Sequence, residues 1–296
     1  MKKLRDLLVC MDGGATKTIV QLRTIDGKIL TEEKGAPANI ANNTKASWNS
    51  VITILRSLEA RLDLSPSNAN LYGGGGFAGA DVPTAVTNFI EHSYRFKKLI
   101  IQTDAYTSCL GAHHKQDGAI IAVGTGTVAY AISGKQSSKL SGWGFPQDDQ
   151  GGGAWIGLQL ICDMLQTIDG RKEKTKLTQE LYNYLQEQGH NPMLWAVGAP
   201  PTQFGSLVPW IVKKANSGCQ EANQLLDKAA NIISHLARCL LKNEFANLPL
   251  CLLGGMSDIL RPRMHDKIRN IIIPAKGNSL DGAFYLALEA YHTEKH

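Results

Sequence analysis

The stretch MDGGATKT, residues 11–18, places a carboxylate, a Gly-Gly pair, two hydroxyls and a lysine between two apolar segments. A glycine turn between such segments is a routine hairpin signal, but a plain hairpin requires none of Thr16, Lys17 or Thr18. Glycine lets backbone N–H groups approach phosphate oxygens closely, and threonine hydroxyls add donors. The stretch therefore predicts a phosphate-binding turn within a strand-turn-strand unit.

The flanking apolar segments are predicted as strands over residues 7–12 and 18–25. An Asp26-Gly27 hairpin turn then leads into a third strand over residues 28–34. An antiparallel meander therefore opens the predicted fold. The stretch is not a Walker A loop, because that motif requires a glycine directly before the lysine and a helix after it.

The same strand-turn-strand form returns in GAIIAVGTGTVAYAI, residues 118–132. Its glycine and threonine turn, residues 124–127, follows an apolar strand, and a third glycine turn, Gly254-Gly255, follows the apolar residues 249–253. This repetition indicates an internal duplication of the chain. Because ligands of α/β sheets bind at the carboxyl ends of strands, the three turns predict a site for small anions such as nucleotides.

The remaining sequence alternates strand and helix, which is typical of parallel pairing in an α/β protein. Asn43 and Asp81 are predicted to cap helices. Residues 69–72 are predicted as a short strand that ends at the four glycines 73–76, and residues 98–103 as a buried strand. The later predicted elements are a loop at 133–152, helices at 155–168, 177–188, 221–242 and 280–291, and a Pro/Gly-rich interruption at 191–205.

Composition is that of a globular protein long enough for two domains, with 296 residues, 43% apolar and 19% charged. A net charge of +5 without a basic stripe argues against nucleic acid, and no apolar run reaches the length of a membrane span. The apolar run near the N-terminus is too short for a signal peptide. Six cysteines without a CxxC pair argue against a metal or disulfide framework, so we expect a cytoplasmic protein.

Asp104 follows the strand predicted over residues 98–103. One role for it is to cap the helix that follows, which aspartate often does. A carboxylate at this sheet edge is also where a phosphotransferase needs a group to accept a hydroxyl proton. The two roles are compatible, and Asp104 is the candidate general base.

The segment SGWGFPQDDQGGG, residues 141–153, combines an aromatic side chain, two adjacent carboxylates and three consecutive glycines before a helix. One interpretation is a surface loop with a solvated aspartate pair. The other is a glycine-hinged loop whose polar groups form hydrogen bonds with a sugar, with Asp148 and Asp149 as the candidate groups.

Taken together, these motifs resemble the sugar-kinase/Hsp70/actin superfamily, and within it the BadF/BadG/BcrA/BcrD-type group that contains N-acetylglucosamine kinase and bacterial glucosamine kinase. The resemblance covers nearly the whole chain. It matches residues 12–18 to a first phosphate motif, 123–127 to a second phosphate motif, 252–255 to an adenosine motif and 281–283 to a connecting motif. Two departures are Ala15, in place of a third glycine, and Gly152, where a serine often stands.

The resemblance implies an α/β fold of two actin-like (ribonuclease H-like) domains with a nucleotide cleft between them. The N-terminal domain would comprise residues 1–116, with a C-terminal helix at 280–296 packing back on it, and the second domain residues 117–279. The implied cofactors are ATP and Mg²⁺, the metal being held partly through water by Asp12.

The site residues that follow from the motifs and the resemblance fall into three groups. The catalytic base is Asp104. The sugar ligands are Asn39, Asp104, Asp148 and Asp149. The nucleotide ligands are Gly13, Gly14, Thr16, Lys17, Thr18, Gly124, Thr125, Gly126, Thr127, Gly254 and Gly255.

The implied activity is transfer of the γ-phosphoryl group of ATP to the 6-hydroxyl of an amino sugar, a small-molecule partner. Asp148 favours glucosamine, because a second carboxylate suits its ammonium group better than a neutral acetamido group. N-acetylglucosamine kinase is the alternative. An ATPase that activates an iron–sulfur reductase would need cluster-binding cysteines in a glycine-flanked loop, and none of the six is so placed. The resemblance also leaves open a non-enzymatic nucleotide- or sugar-binding regulator and a homodimer.

Overall fold

The structure, a computed structural model, describes residues 4–14, 16–93 and 95–295. Ala15, one of the two departures noted above, lies outside the described residues. The chain divides into two compact units, one of Met1–Gly118 with Ala275–His296 and one of Ala119–Pro274. In the described ranges no helix is both long and apolar enough to cross a membrane.

The first unit is built on a five-stranded sheet in the order β3-β2-β1-β4-β5. The pairs β1·β2 and β2·β3 are antiparallel, whereas β1·β4 and β4·β5 are parallel. The opening meander is therefore confirmed. The strands are β1 Arg5–Gly13, β2 Thr18–Arg23, β3 Ile29–Gly35, β4 Ala69–Phe77 and β5 Lys98–Thr103.

Helices cover both faces of this sheet. On one face, α1 (Thr44–Arg61) and α2 (Pro83–Glu91) pack on an apolar core that includes Val9, Leu55 and Phe89. On the other face lie α3 (Asp104–Ala112) and α11 (Ser279–Lys295), the last helix of the chain. Coverage of both faces explains why the central strands are continuous apolar runs rather than alternating ones.

Capping residues set where these helices begin. Asn43 caps α1 as predicted, its side chain accepting a 2.9 Å hydrogen bond from Ala46 N. The prediction for Asp81 is wrong: α2 begins at Pro83 after Val82, because proline at the first helical position needs no N–H partner. At α3 the cap is Thr103.

The second unit repeats the first in simpler form. Its four-stranded sheet has the order β8-β7-β6-β9, which matches β3-β2-β1-β4, and a parallel bridge from Leu250 to Ile272 lies beyond β9. The predicted internal duplication is thus confirmed. The strands are β6 Gly118–Val123, β7 Thr127–Ser133, β8 Gln136–Ser141 and β9 Leu250–Leu253.

The helices of the second unit pack around its sheet in one apolar core. Several elements here were not predicted: strand β8, which falls in the segment expected to be a loop, and the helices α6, α7, α9 and α10. The helices are α4 Gly153–Ile168, α5 Lys176–Glu187, α6 Pro201–Gly205, α7 Val208–Asn216, α8 Gln220–Leu240, α9 Ser257–Leu260 and α10 Asp266–Arg269.

Strand β4 runs through the four glycines that were expected to end it. A Cβ at any of the four would come too close to a neighbouring atom, and at two of them that atom belongs to a helix covering the sheet. A Cβ on Gly74 would collide with the backbone of α11 at Ala283 and Ala287, and one on Gly76 would collide with the hydroxyl of Thr107 in α3. These glycines therefore serve close packing between sheet and helices rather than a turn.

Candidate functional site

The first glycine turn connects β1 and β2. Gly14 N donates a 3.0 Å hydrogen bond to Lys17 O, which closes the turn. Gly13 has no room for a side chain, because a Cβ there would collide with the ring of Phe77 on β4. Thr16 and Lys17 are exposed, so their polar groups are accessible to a ligand.

Asp12 lies near the end of β1, immediately before this turn. Its Oδ2 accepts a 2.7 Å hydrogen bond from the hydroxyl of Ser279 at the start of α11. Burial raises the pKa of Asp12, while the bond from Ser279 and the charge of Lys17 act in the opposite direction. Sequence reasoning missed Ser279, although it lies two residues before the motif at residues 281–283.

The first and second glycine turns each lead into a strand that begins with a buried threonine. Thr18 opens β2 and Thr127 opens β7, and their hydroxyl oxygens are buried without a hydrogen-bond partner among the described residues. A buried polar group left unsatisfied costs about 1–3 kcal/mol. Such groups are rare in folded proteins and each needs an explanation, such as a missing ligand or water. A threonine hydroxyl that can still form a hydrogen bond therefore lies beside each of these two turns.

Asp104 is the first residue of α3, directly after β5. Thr103 rather than Asp104 is the cap, since the Thr103 hydroxyl accepts a 3.0 Å bond from Tyr106 N. The Oδ1 atom of Asp104 accepts from Ala105 N at 2.8 Å, and the side chain is half-buried. The position at the helix N-terminus stabilises a negative charge there.

The strand register brings the candidate residues of the first unit to one edge of the sheet. Gly13 pairs with Phe77, and Phe77 pairs with Thr103, so the ends of β1, β4 and β5 form one row. With neighbouring strands about 4.8 Å apart, the two outer members of this row are separated by roughly 10 Å. Asp12 and Asp104 therefore lie at the same edge.

Asn39 joins this edge through a parallel bridge with Ala78, the residue after β4. Its Oδ1 accepts hydrogen bonds from Ala41 N and Asn42 N, both at 3.1 Å. The amide nitrogen of Asn39 has no hydrogen-bond partner among the described residues, and it remains a donor for a ligand. The first unit thus collects Asp12, Thr18, Asn39 and Asp104 along one sheet edge.

In the second unit the turn at 124–127 is fixed to the start of α4. Gly124 N donates to Gly126 O at 2.9 Å within the turn. The first two amides of α4 donate back to it, Gly153 N to Gly124 O at 2.8 Å and Ala154 N to Thr125 O at 2.9 Å. Thr125 is exposed, and nothing fills the space beside the Gly124 α-carbon. The turn is held rigidly with an open side.

Asp149 connects the loop at 141–153 to this turn. Backbone N–H groups of Thr127 in the turn and Gly144 in the loop favour its ionised form and lower its pKa. Burial is the main cause that raises the pKa of Asp149, and the charge of Asp148 raises it further. Its φ of +62° is in the left-handed region, which is uncommon for a residue other than glycine.

Asp148 organises the loop itself. Its carboxylate accepts a 3.1 Å hydrogen bond from the Ser141 hydroxyl and a 3.0 Å bond from Trp143 N. A carboxylate has about four acceptor positions, so these two bonds leave capacity for a ligand donor. The side chain is half-buried, not fully solvated.

The third glycine turn lies beside a pocket. Gly254 has φ +92°, and a Cβ there would collide with the carbonyl of Val123 at the end of β6. The pocket measures about 460 Å³, which is in the range of small-molecule sites. Its lining combines residues of the second and third glycine turns with residues of α6 and α7 and of the segments that begin α4 and α9. The lining residues are Gly124, Thr125, Gly153, Thr202, Gly205, Val208, Pro209, Val212, Gly255, Met256 and Ile259.

The apolar lining of this pocket was not predicted. It comes from α6, which lies within the Pro/Gly-rich interruption, from α7, which follows it, and from the residues after Gly255. The interruption was the available signal, because pocket residues often lie on segments that break regular patterns.

The cysteines and acidic residues suggest no further chemistry. Cys10 is fully buried and its pKa is raised to about 12 by burial, so its thiol stays protonated. Within the described parts of the chain, no group of three or more His, Cys, Asp or Glu side chains is placed to hold a metal ion.

Two α/β units of the same strand order, each with a glycine turn at a sheet edge, define an actin-like ATPase fold. This agrees with the predicted fold class. Residues 9–280 match the model of the BadF/BadG/BcrA/BcrD ATPase family, and the chain belongs to that family.

Three relatives are informative. The glucosamine kinase GspK of Vibrio cholerae is 28% identical over 285 residues, 96% of each chain. The N-acetylmuramic acid/N-acetylglucosamine kinase of Clostridium acetobutylicum is 26% identical over 230 residues, 75% of each chain. The solved structure of a proposed N-acetylglucosamine kinase from Chromobacterium violaceum is 29% identical with a TM-score of 0.85, covering 96% of this chain and 99% of that one.

Proposed function

We propose that this protein phosphorylates an amino sugar with ATP, and that the preferred substrate is glucosamine, phosphorylated at its 6-hydroxyl. The proposal rests on the strand register of β1, β4 and β5, which brings Asp104 to the same sheet edge as Asp12 and the first glycine turn. A proton acceptor beside a phosphate-binding turn is what phosphoryl transfer to a hydroxyl requires. The names of the relatives, all amino-sugar kinases, support the same class.

The second unit carries the candidate nucleotide residues. The apolar pocket beside Gly255 has the size and lining for an adenine ring and ribose. The adjoining turn at 124–127 presents Thr125 and the open side of Gly124 for phosphate oxygens. The buried, unsatisfied hydroxyl of Thr127 supports a site completed by a ligand or by ordered water.

The residues present fit Mg²⁺ at Asp12. One carboxylate oxygen is engaged by Ser279, and the other accepts no hydrogen bond from any described residue. Mg²⁺ prefers one or two carboxylates supplemented by water and substrate phosphates. A bound Mg²⁺ would neutralise phosphate charge. Asp12 would hold it directly or through water.

Asp104 is placed to accept a proton from the sugar. In the proposed reaction the 6-hydroxyl oxygen forms a bond to the γ-phosphorus, its proton passes to the Asp104 carboxylate, and ADP leaves with the electrons of the broken P–O bond. Asn39, with its unused amide donor at the same edge, would hydrogen-bond to the sugar and orient it.

The preference for glucosamine rests on the paired carboxylates Asp148 and Asp149. An ammonium group at C2 would form a charge-assisted hydrogen bond with Asp148, which contributes about 1.5–3 kcal/mol where solvent is excluded. N-acetylglucosamine is the second candidate, favoured by the names of two of the three relatives. Its acetamido group is neutral and needs an apolar pocket for the methyl.

The test is a coupled ADP-release assay with glucosamine, N-acetylglucosamine, glucose and mannosamine as acceptors. We expect the highest kcat/KM for glucosamine and a ³¹P signal typical of a 6-phosphate in the product. A higher kcat/KM for N-acetylglucosamine overturns the substrate assignment but leaves the amino-sugar class intact. ADP release that is the same with and without every sugar overturns the class.

A further inference from the structure

The sugar loop and the second glycine turn share one carboxylate. Backbone N–H groups of Thr127 in the turn and Gly144 in the loop both favour the ionised form of Asp149 and lower its pKa, against the effect of burial. The turn is also shaped around this group, because a Cβ on Gly126 would collide with the Asp149 carboxylate. A displacement of Asp149 is therefore transmitted directly to the turn.

The backbone around Asp149 is held from several sides. Gly152 N donates to Asp149 O at 3.1 Å, and the next two amides of the chain, Gly153 N and Ala154 N, donate to carbonyls of the turn. A left-handed φ in a residue other than glycine costs of order 1 kcal/mol and persists only when its surroundings enforce it. Loop, turn and the start of α4 thus form one hydrogen-bonded assembly with Asp149 at its centre.

We infer that Asp149 is a positioning residue that sets the conformation of the turn at 124–127 and so couples sugar binding to nucleotide binding. This inference rests on the proposed function, in which the turn binds nucleotide phosphates and the loop binds sugar. A sugar hydroxyl that donates to Asp149 holds this carboxylate in one position, and the turn that packs around the carboxylate is then fixed before the nucleotide binds. Sugar and nucleotide each then raise the affinity for the other by the same factor.

The experiment measures ADP affinity by calorimetry, with and without saturating glucosamine, in wild type and in Asp149→Asn. Asparagine tolerates a left-handed φ, so the substitution leaves the backbone in place while it removes the charge and one acceptor oxygen. Its amide NH₂ group must face one of the two backbone donors. In the wild type we expect glucosamine to lower the ADP Kd about fivefold or more.

In Asp149→Asn we expect ADP to bind at least about fivefold more weakly without any sugar, and glucosamine to change that affinity no further. The sugar-free measurement separates positioning from sugar contact, since a residue that only binds sugar would leave it unchanged. Asp163→Asn, which removes a surface carboxylate of α4 paired with Lys172, is the matched control and should bind ADP like the wild type.

Gly126→Ala provides a second route if Asp149→Asn does not fold. It places a methyl group against the Asp149 carboxylate and should weaken sugar-free ADP binding in the same way. Unchanged sugar-free ADP affinity in a folded Asp149→Asn protein overturns the inference. So does a wild type that phosphorylates glucosamine but has the same ADP Kd with and without this sugar. A wild type that binds ADP but phosphorylates no amino sugar overturns the proposed function instead, and the sugar-free ADP comparison still tests the positioning role.

Discussion

Replacing Asp104 with asparagine removes a proton acceptor and a negative charge while it keeps a side chain of nearly the same shape. The hydrogen bond from Ala105 N to Oδ1, 2.8 Å long, survives because asparagine retains that oxygen. Thr103, not Asp104, caps α3, so the start of the helix is preserved. The structural cost is limited to the interaction of one charge with the helix N-terminus, about 0.3–1 kcal/mol.

The expected consequences for catalysis are far larger. A general base contributes about 10²–10⁴-fold to the rate, so kcat for glucosamine should fall by that factor. Thermal unfolding should shift by at most about 4 °C, and ADP affinity should remain close to the wild-type value. The coupled ADP-release assay, calorimetric titration with ADP and a thermal scan measure these three quantities, with Asp163→Asn as the matched control.

A particular result would refute the assignment of Asp104. If Asp104→Asn retained a third of the wild-type kcat, the proton would have to leave the sugar by another route, and the base assignment would be abandoned. A large fall in kcat accompanied by a large fall in Tm would instead indicate damage to the fold, contrary to the small structural cost derived above.

Three further changes test other parts of the structure. Lys17→Ala should raise the KM for ATP severalfold by removing a positive charge near the phosphates, and an unchanged KM would mean that Lys17 faces solvent. Asp148→Asn should lower the kcat/KM ratio of glucosamine to N-acetylglucosamine about tenfold, and a constant ratio would remove the ammonium explanation. Gly74→Ala should lower the free energy of unfolding in urea by about 3 kcal/mol or more, because its methyl group meets the rigid backbone of α11; a loss below about 1 kcal/mol would contradict that packing.

Much of the sheet framework was predictable because it depends on local patterns. Apolar runs bounded by glycine turns located β1, β2, β6 and β7, and the Asn43 side chain signalled the start of α1. The positions of Asp12 and Asp104 near the ends of β1 and β5 were predictable as well, because each directly follows an apolar or strand-forming run in the sequence.

What escaped prediction depends on contacts distant in sequence. Glycines 73–76 were predicted to end a strand, because glycine is depleted in strands. In the structure the strand continues, and close packing against α3 and α11 requires two of these glycines. The polar sequence of β8 resembles a loop and forms a strand only by pairing with β7. The bond between Ser279 and Asp12 joins residues 267 positions apart, and no local pattern reports such a pair.

The last helix of the chain has a consequence for how the protein is made. Residues 119–274 interrupt the first unit, which is completed only by Ala275–His296. Until α11 has left the ribosome, Leu8 and Tyr72 on one face of the first sheet lack the helix residues Ala287 and Ala290 that pack on them. At translation speeds of about 5–20 residues per second, this apolar surface remains without α11 for on the order of 10 s. The second unit, although its first residue is encoded later, is therefore the first to be complete, and faster synthesis of residues 119–274 would shorten the exposure of this apolar surface.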